Sequence, residues 1–231
     1  SFSDLGRMDE AVPLQQRALT ITETTLGPDH PDMAIRLGNL ASSFSDLGRM
    51  DEAVPLQQRA LTITETTLGP DHPDVAIRLG NLALSFHDLG RAGEAVPLFE
   101  RALHIAETAL DPDHPTVATC LGNLASSLHT LDRAGEAASL EQRALAITET
   151  TLGAHHPSVA IRLGNLGASF HILGRTSEAV PLIERALAIT ETTLGPDHPQ
   201  AKTLRKNISY MSNSPCGCGS GKKFKRCHGR L

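Results

Sequence analysis

Cys216, Cys218, Cys227 and His228 are the residues whose types and spacing best suit a defined chemistry. They form C-x-C-x8-C-H, and three thiolates with one imidazole supply a closed tetrahedral zinc site. The segment between the pairs, GSGKKFKR, offers a flexible turn followed by a basic stretch that can bring the second pair back to the first. So short a segment builds no hydrophobic core, so bound metal would have to supply its folding energy. A disulfide hairpin is the alternative, but it leaves an odd cysteine and ignores His228. Four ligands at metal spacing in an otherwise Cys-poor chain favour structural Zn2+. Cys120 stands alone where other copies of its segment carry Arg36, Arg78 and Arg162, and reads as an inert reduced thiol.

Catalytic chemistry finds less support. A histidine recurs before each proline-led helix start (His30, His72, His114, His156, His198), which points to packing or capping. The recurring ETTLG segment brings no nucleophile, base and orienting group together. GCGSGKKF lacks the closing hydroxyl of a phosphate-binding loop and lies inside the metal segment. The chain is therefore expected not to be an enzyme.

The elements that position these residues follow from a repeat. Residues 1–42 return at 43–84 with only Met33→Val75 and Ser42→Leu84 changed, and looser copies occupy 85–126, 127–168 and 169–210. An ungapped 42-residue period means stacked repeats. In each period one helix starts at a proline and ends at the DLGR segment, and a second runs from there to the next DPDHP-like connector. The proline of EAVPL (Pro13, Pro55, Pro97, Pro181) reads as a helix-start device in or just after the first turn. Composition agrees: 40% of residues are hydrophobic but only 3% aromatic, so the core is packed from Leu, Ala, Ile and Val. The fold expected is all-α, a solenoid of antiparallel helix pairs, plus a small C-terminal zinc-stabilised motif. Its parts are a solenoid over 1–210 and a zinc motif over 212–231. The solenoid has a partial first pair, four full pairs at 31–68, 73–110, 115–152 and 157–194, and a capping helix at 199–211.

Charge is asymmetric, because residues 211–231 hold five basic residues and no acid, leaving 16 basic against 26 acidic residues in the body. No apolar run is long enough to span a bilayer, so no membrane role is expected, and the location expected is cytoplasmic. The start without Met and in mid-motif suggests a fragment of a longer protein.

The run NLASSFSDLGRMDEAVPLQQRAL resembles the tetratricopeptide repeat, with Leu40-Ala41, Phe44, Gly48, Ala53 and Ala60 at the family's offsets. The period, the LGPDHP connector and the NLA core further resemble the longer kinesin-light-chain type. The family's first-helix Trp is Leu here (Leu37, Leu79, Leu121, Leu163), and the last copy turns polar at Lys202, Arg205 and Lys206, which suits a terminal cap. The resemblance implies a right-handed superhelical solenoid with a concave groove lined by first helices, with Asn39, Asn81, Asn123, Asn165 and the weaker counterpart Asn207 holding the backbone of an extended peptide. An amide offers both donors and an acceptor, so it can do this without reading side chains; bonding between neighbouring repeats is the alternative. Groove positions that vary between copies are candidates for specificity: Ser42/Leu84/Ser126/Ala168, Ser45/His87/His129/His171 and Asp46/Asp88/Thr130/Ile172. The peptide-binding candidates are thus the four asparagines with Leu84, His87, Asp88, His129 and His171. The histidines recur too far apart to share one metal ion and read as solvated or peptide-contacting.

The tail PCGCGSGKKFKRCHG resembles the SEC-C motif, known from the end of the bacterial preprotein translocase ATPase. That resemblance implies a zinc-ordered knob that docks a second protein, an acidic one given Lys222, Lys223, Phe224, Lys225 and Arg226. The function expected is a protein–protein interaction scaffold. The competing readings are the regulatory end of a larger signalling NTPase or enzyme, and contact with nucleic acid through the basic tail, which the acidic body disfavours.

Overall fold

The structure, a computed structural model, describes residues 2–213, 220 and 223–227, with side chains from residue 10 onward. Eleven helices lie among these residues, in two compact units, Ser1–Asp111 and Pro112–Leu231. The first unit contains α1 (Phe2–Leu26), α2 (Pro31–Asp46), α3 (Met50–Leu68), α4 (Pro73–Asp88) and α5 (Ala92–Ala109). The second contains α6 (Pro115–Thr130), α7 (Ala134–Leu152), α8 (Pro157–Ile172), α9 (Thr176–Leu194), α10 (Pro199–Asn213) and α11 (Phe224–Cys227). Within each unit every helix packs against the next. The division falls inside the repeats, and α11 belongs with the second unit.

Local chemistry sets these boundaries. The connector histidines are N-caps: Nδ1 of His30, His72, His114 and His156 accepts the backbone N–H of Asp32, Asp74, Thr116 and Ser158 at 3.1–3.2 Å. A proline then occupies the first helical position, where a missing N–H costs nothing. Their other ends close in Schellman turns. Arg49 N–H donates to Phe44 C=O at 2.8 Å and Gly48 N–H to Ser45 C=O at 2.9 Å, with Gly48 left-handed at φ 73°. Asp132 holds the corresponding place at φ 57°, the one non-glycine residue with positive φ among the described residues.

The proline of EAVPL lies just after the first turn, as expected, in three copies and deeper in its helix in the first. Pro55, Pro97 and Pro181 are each the sixth residue of their helix, inside the second turn. Pro13 lies well within α1, which runs through Gly6 without a break. The fixed φ of proline suits a helix, and only one carbonyl near the N-terminal end loses its partner.

Packing is by small residues against branched ones. In the first unit Ala53 and Ala60 of α3 are fully enclosed against Leu37, Leu40, Ala41 and Phe44 of α2. Without side-chain bulk there the backbones approach closely, while the Phe44 ring fills the space beside the turn. Above that ring lies the Arg49 guanidinium, 4.5 Å from its centroid. Successive repeats are also tied by a salt-bridge ladder: Arg59 to Glu23 at 2.6 Å, Arg101 to Glu65 at 2.5 Å and Arg185 to Glu149 at 2.5 Å. Each of these arginines also donates to a connector carbonyl, at Pro28, Pro70 and Ala154.

Candidate functional site

One face of each proline-led helix is left uncovered. On α2 it carries Ile35, Asn39, Ser42 and Asp46, and on α4 Ile77, Asn81, Leu84 and Asp88; this spacing of four, three and four residues makes a single stripe along a helix. In the second unit it carries Thr119, Asn123, Ser126 and Thr130 on α6, and Ile161, Asn165, Ala168 and Ile172 on α8. Asn39, Asn81 and Asn165 are exposed and Asn123 is half-buried. The isoleucines were not among the expected groove residues, yet Ile35 is 51% and Ile77 55% exposed at equivalent positions. Their period-42 recurrence on the asparagine stripe was the signal that could have found them.

A cavity of about 200 Å³ opens beside the stripe in the first unit, lined by Gly38, Ser45, Gln57, Arg78, Asn81 and Asp88, with Leu84 at its edge. The half-buried Arg78 guanidinium lies on Gly38, where any Cβ would collide with Nη1. Arg78 Nε, Gln57 Oε1 and Ser45 Oγ are all buried there without a hydrogen-bond partner. Burial holds the Arg78 pKa below its ordinary value, with Asp74 only partly opposing the shift. His87 is half-buried beside the stripe.

The corresponding cavity in the second unit, about 180 Å³, is lined by Ser126, His129, Glu141, Asn165, Ala168 and Ile172. Here a carboxylate occupies the place of Gln57. Glu141 is 2% exposed; it accepts a short hydrogen bond from Ser169 Oγ, and its Oε1 lies 3.4 Å from His129 Nε2. His129 Nε2 is also 2.7 Å from Ser169 Oγ. Burial pushes the Glu141 carboxyl up, against the opposing pull of Ser169, His129 and Arg162. Arg162, desolvated in turn, rests where a Cβ on Gly122 would be.

Ser169, His129 and Glu141 thus share the residue types of a hydrolase triad. The wiring differs, because serine and carboxylate both meet Nε2 whereas Nδ1 is buried without a partner. A general base needs its second nitrogen held by the acid, so the cluster is not arranged to activate Ser169. His129, expected to be solvated or free for a peptide, is committed to this internal network. His171 sits with its ring edge-on to Tyr210, the centroids 5.6 Å apart.

In the tail, Phe224 is 6% exposed and packs with Met211 in the second unit's core, so its ring anchors α11 and is not at the surface. Lys223, Lys225 and Arg226 are exposed. Cys227 is half-buried, its Sγ 3.2 Å from Ser220 Oγ. Cys216, Cys218, His228 and Lys222 lie outside the described residues. Among the described residues no group of three or more His, Cys, Asp or Glu could hold a metal ion, and no helix is long and apolar enough to cross a membrane.

Comparison with known proteins places this architecture. Tetratricopeptide-repeat profiles match residues 37–108 and 79–150, and also 1–32 and 159–200. The chain belongs to the tetratricopeptide-repeat family. That fold is typical of protein–protein interaction scaffolds, and the family is generally non-enzymatic. The chain is similar to a Podosopora anserina kinesin light chain with nearly identical TPR-like repeats, at 28% identity over 79% of this chain and 86% of that one, with a TM-score of 0.70. It shares its fold with BtubC (BKLC) of P. vanneervenii, at 23% identity over 98% and 87% of the two chains, with a TM-score of 0.72. The SEC-C motif matches residues 213–230. The protein translocase subunit SecA of Nitrosomonas europaea is 56% identical over 32 residues, which are 14% of this chain and 4% of that protein.

Proposed function

We propose that the protein is an interaction scaffold that holds an extended peptide or protein segment on the asparagine stripes, while its tail docks a second, acidic protein through a structural zinc motif. The supporting observation is the exposed Ile77–Asn81–Leu84–Asp88 stripe beside a cavity with unpartnered buried polar atoms. Isoleucine and leucine give a segment apolar area to cover, and the asparagine amide can pair with its backbone. Replacing Asn81 and Asn123 together by alanine should abolish capture of peptides from a displayed random library while leaving the circular-dichroism spectrum unchanged. Unchanged capture would sink the groove assignment.

At the tail, the donor set of Cys216, Cys218, Cys227 and His228 suits Zn2+. Cys227 is anchored there by the packing of Phe224 in the same short helix. Exposed Lys223, Lys225 and Arg226 give the knob its positive face. With Phe224 packed inside, no described aromatic of α11 is free to stack on a base, which favours an acidic protein over nucleic acid.

A further inference from the structure

We propose that the first unit's cavity is a receptor for one side-chain carboxylate, an aspartate or glutamate of the bound segment, seated on Arg78 with Gln57 and Ser45 around it. This rests on the groove reading and names what the groove selects. The second unit supplies the internal comparison. There the position of Gln57 is Glu141, a lining carboxylate that takes the Ser169 hydroxyl and lies within the field of Arg162. In the first unit the same framework recurs, with an arginine laid on a glycine (Arg78 on Gly38) and a buried serine (Ser85) lining the cavity, but the carboxylate is exchanged for a neutral amide. Beside that amide Arg78 Nε is buried without an acceptor, and Gln57 Oε1, 7% exposed as a residue, is without a donor.

A guanidinium whose burial Asp74 offsets only in part still gains from a carboxylate, which it can grip through two parallel N–H groups. The orphaned acceptor Gln57 Oε1 calls for an N–H donor on the same ligand, and a peptide backbone provides one. Asp88 at the rim, with Asp74 one turn before Arg78, limits the anionic charge the site accepts to one. That disfavours a phosphate dianion.

The test is titration of the full chain with N-acetyl-glutamate N-methylamide, its glutamine counterpart and inorganic phosphate, read at the Arg78 Nε–Hε resonance by NMR. The glutamate compound should shift that resonance saturably and at least about ten-fold more tightly than the glutamine compound, as expected for a charge-assisted pair. Arg78→Gln removes the reporter, so Gln57→Glu is the decisive variant. Position 141 shows that this site of the repeat folds with a carboxylate, and Gln57→Glu should fill the cavity from within and abolish the response. No shift with the glutamate compound, an equal response to the glutamine compound or to phosphate, or an undiminished response in Gln57→Glu would overturn the proposal. Library peptides released by Asn81→Ala yet lacking acidic residues and indifferent to Gln57→Glu would also overturn it, with the groove reading intact. Acid-dependent capture that Asn81→Ala does not affect would overturn the groove reading alone.

Discussion

Arg205 of α10 grips Glu191 of α9, with Nε 2.9 Å and Nη2 2.5 Å from the same carboxylate oxygen, and its Nη1 donates to Pro196 C=O at 2.9 Å. In the pairs Glu23–Arg59, Glu65–Arg101 and Glu149–Arg185 this glutamate is taken by an arginine from the next repeat's second helix. The last described repeat has no such helix after it, and Arg205 reaches the same glutamate and the same kind of connector carbonyl from the capping helix. The polar turn of the final copy therefore closes the ladder as well as facing water.

Arg205→Ala should loosen α10 at its N-terminal end. Both partners are more than a third exposed, so solvent screening limits the global cost to about 1 kcal/mol or less. Local amide exchange in α10 should rise more than the denaturation midpoint falls; equal protection in the two proteins would contradict this closing role.

Asp132→Gly should stabilise the second unit by roughly 0.5–1 kcal/mol, because glycine adopts the left-handed turn without the clash that a Cβ brings. Urea denaturation of the two proteins compares them directly. A loss of stability would mean that the Asp132 side chain contributes more than its backbone costs.

Glu141 gives stability a pH dependence whose sign follows from its raised carboxyl pKa. The folded protein holds this proton more tightly than the unfolded chain, so the contribution is complete below the ordinary carboxylate range and is lost as pH rises through the raised value. The stability of Glu141→Gln relative to the parent should therefore rise with pH across that window. A difference independent of pH, in denaturation series run from acid to neutral, would show that Ser169, His129 and Arg162 offset the burial fully.

The purified 231-residue chain should carry one zinc ion per molecule by elemental analysis, falling to substoichiometric in Cys227→Ser. Because Cys227 shares its short helix with the buried Phe224, metal loss should also expose the α10–α11 contact to proteolysis. Equal metal content in the two proteins would remove Cys227 from the ligand set.

The sequence by itself determined the period, the all-α class and the turns. These rest on contacts spanning two to five residues: a histidine ring accepting an amide two positions on, a proline beside it, a glycine closing a Schellman turn. It also pointed to the asparagine stripe, since helical spacing and the repeat together put equivalent positions on one face. Only the tertiary structure decided which groove groups are already spoken for. His129, Glu141 and Ser169 come from three helices, and Arg78 reaches Gly38 across a whole repeat. Whether a buried polar atom has a partner depends on what lies within about 3.5 Å of it in three dimensions, and no spacing along the chain encodes that. Gln57 and Glu141 stand at equivalent positions in a near-identical sequence frame, but only the packing shows that Glu141 takes the Ser169 hydroxyl while Gln57 Oε1 is buried without a partner.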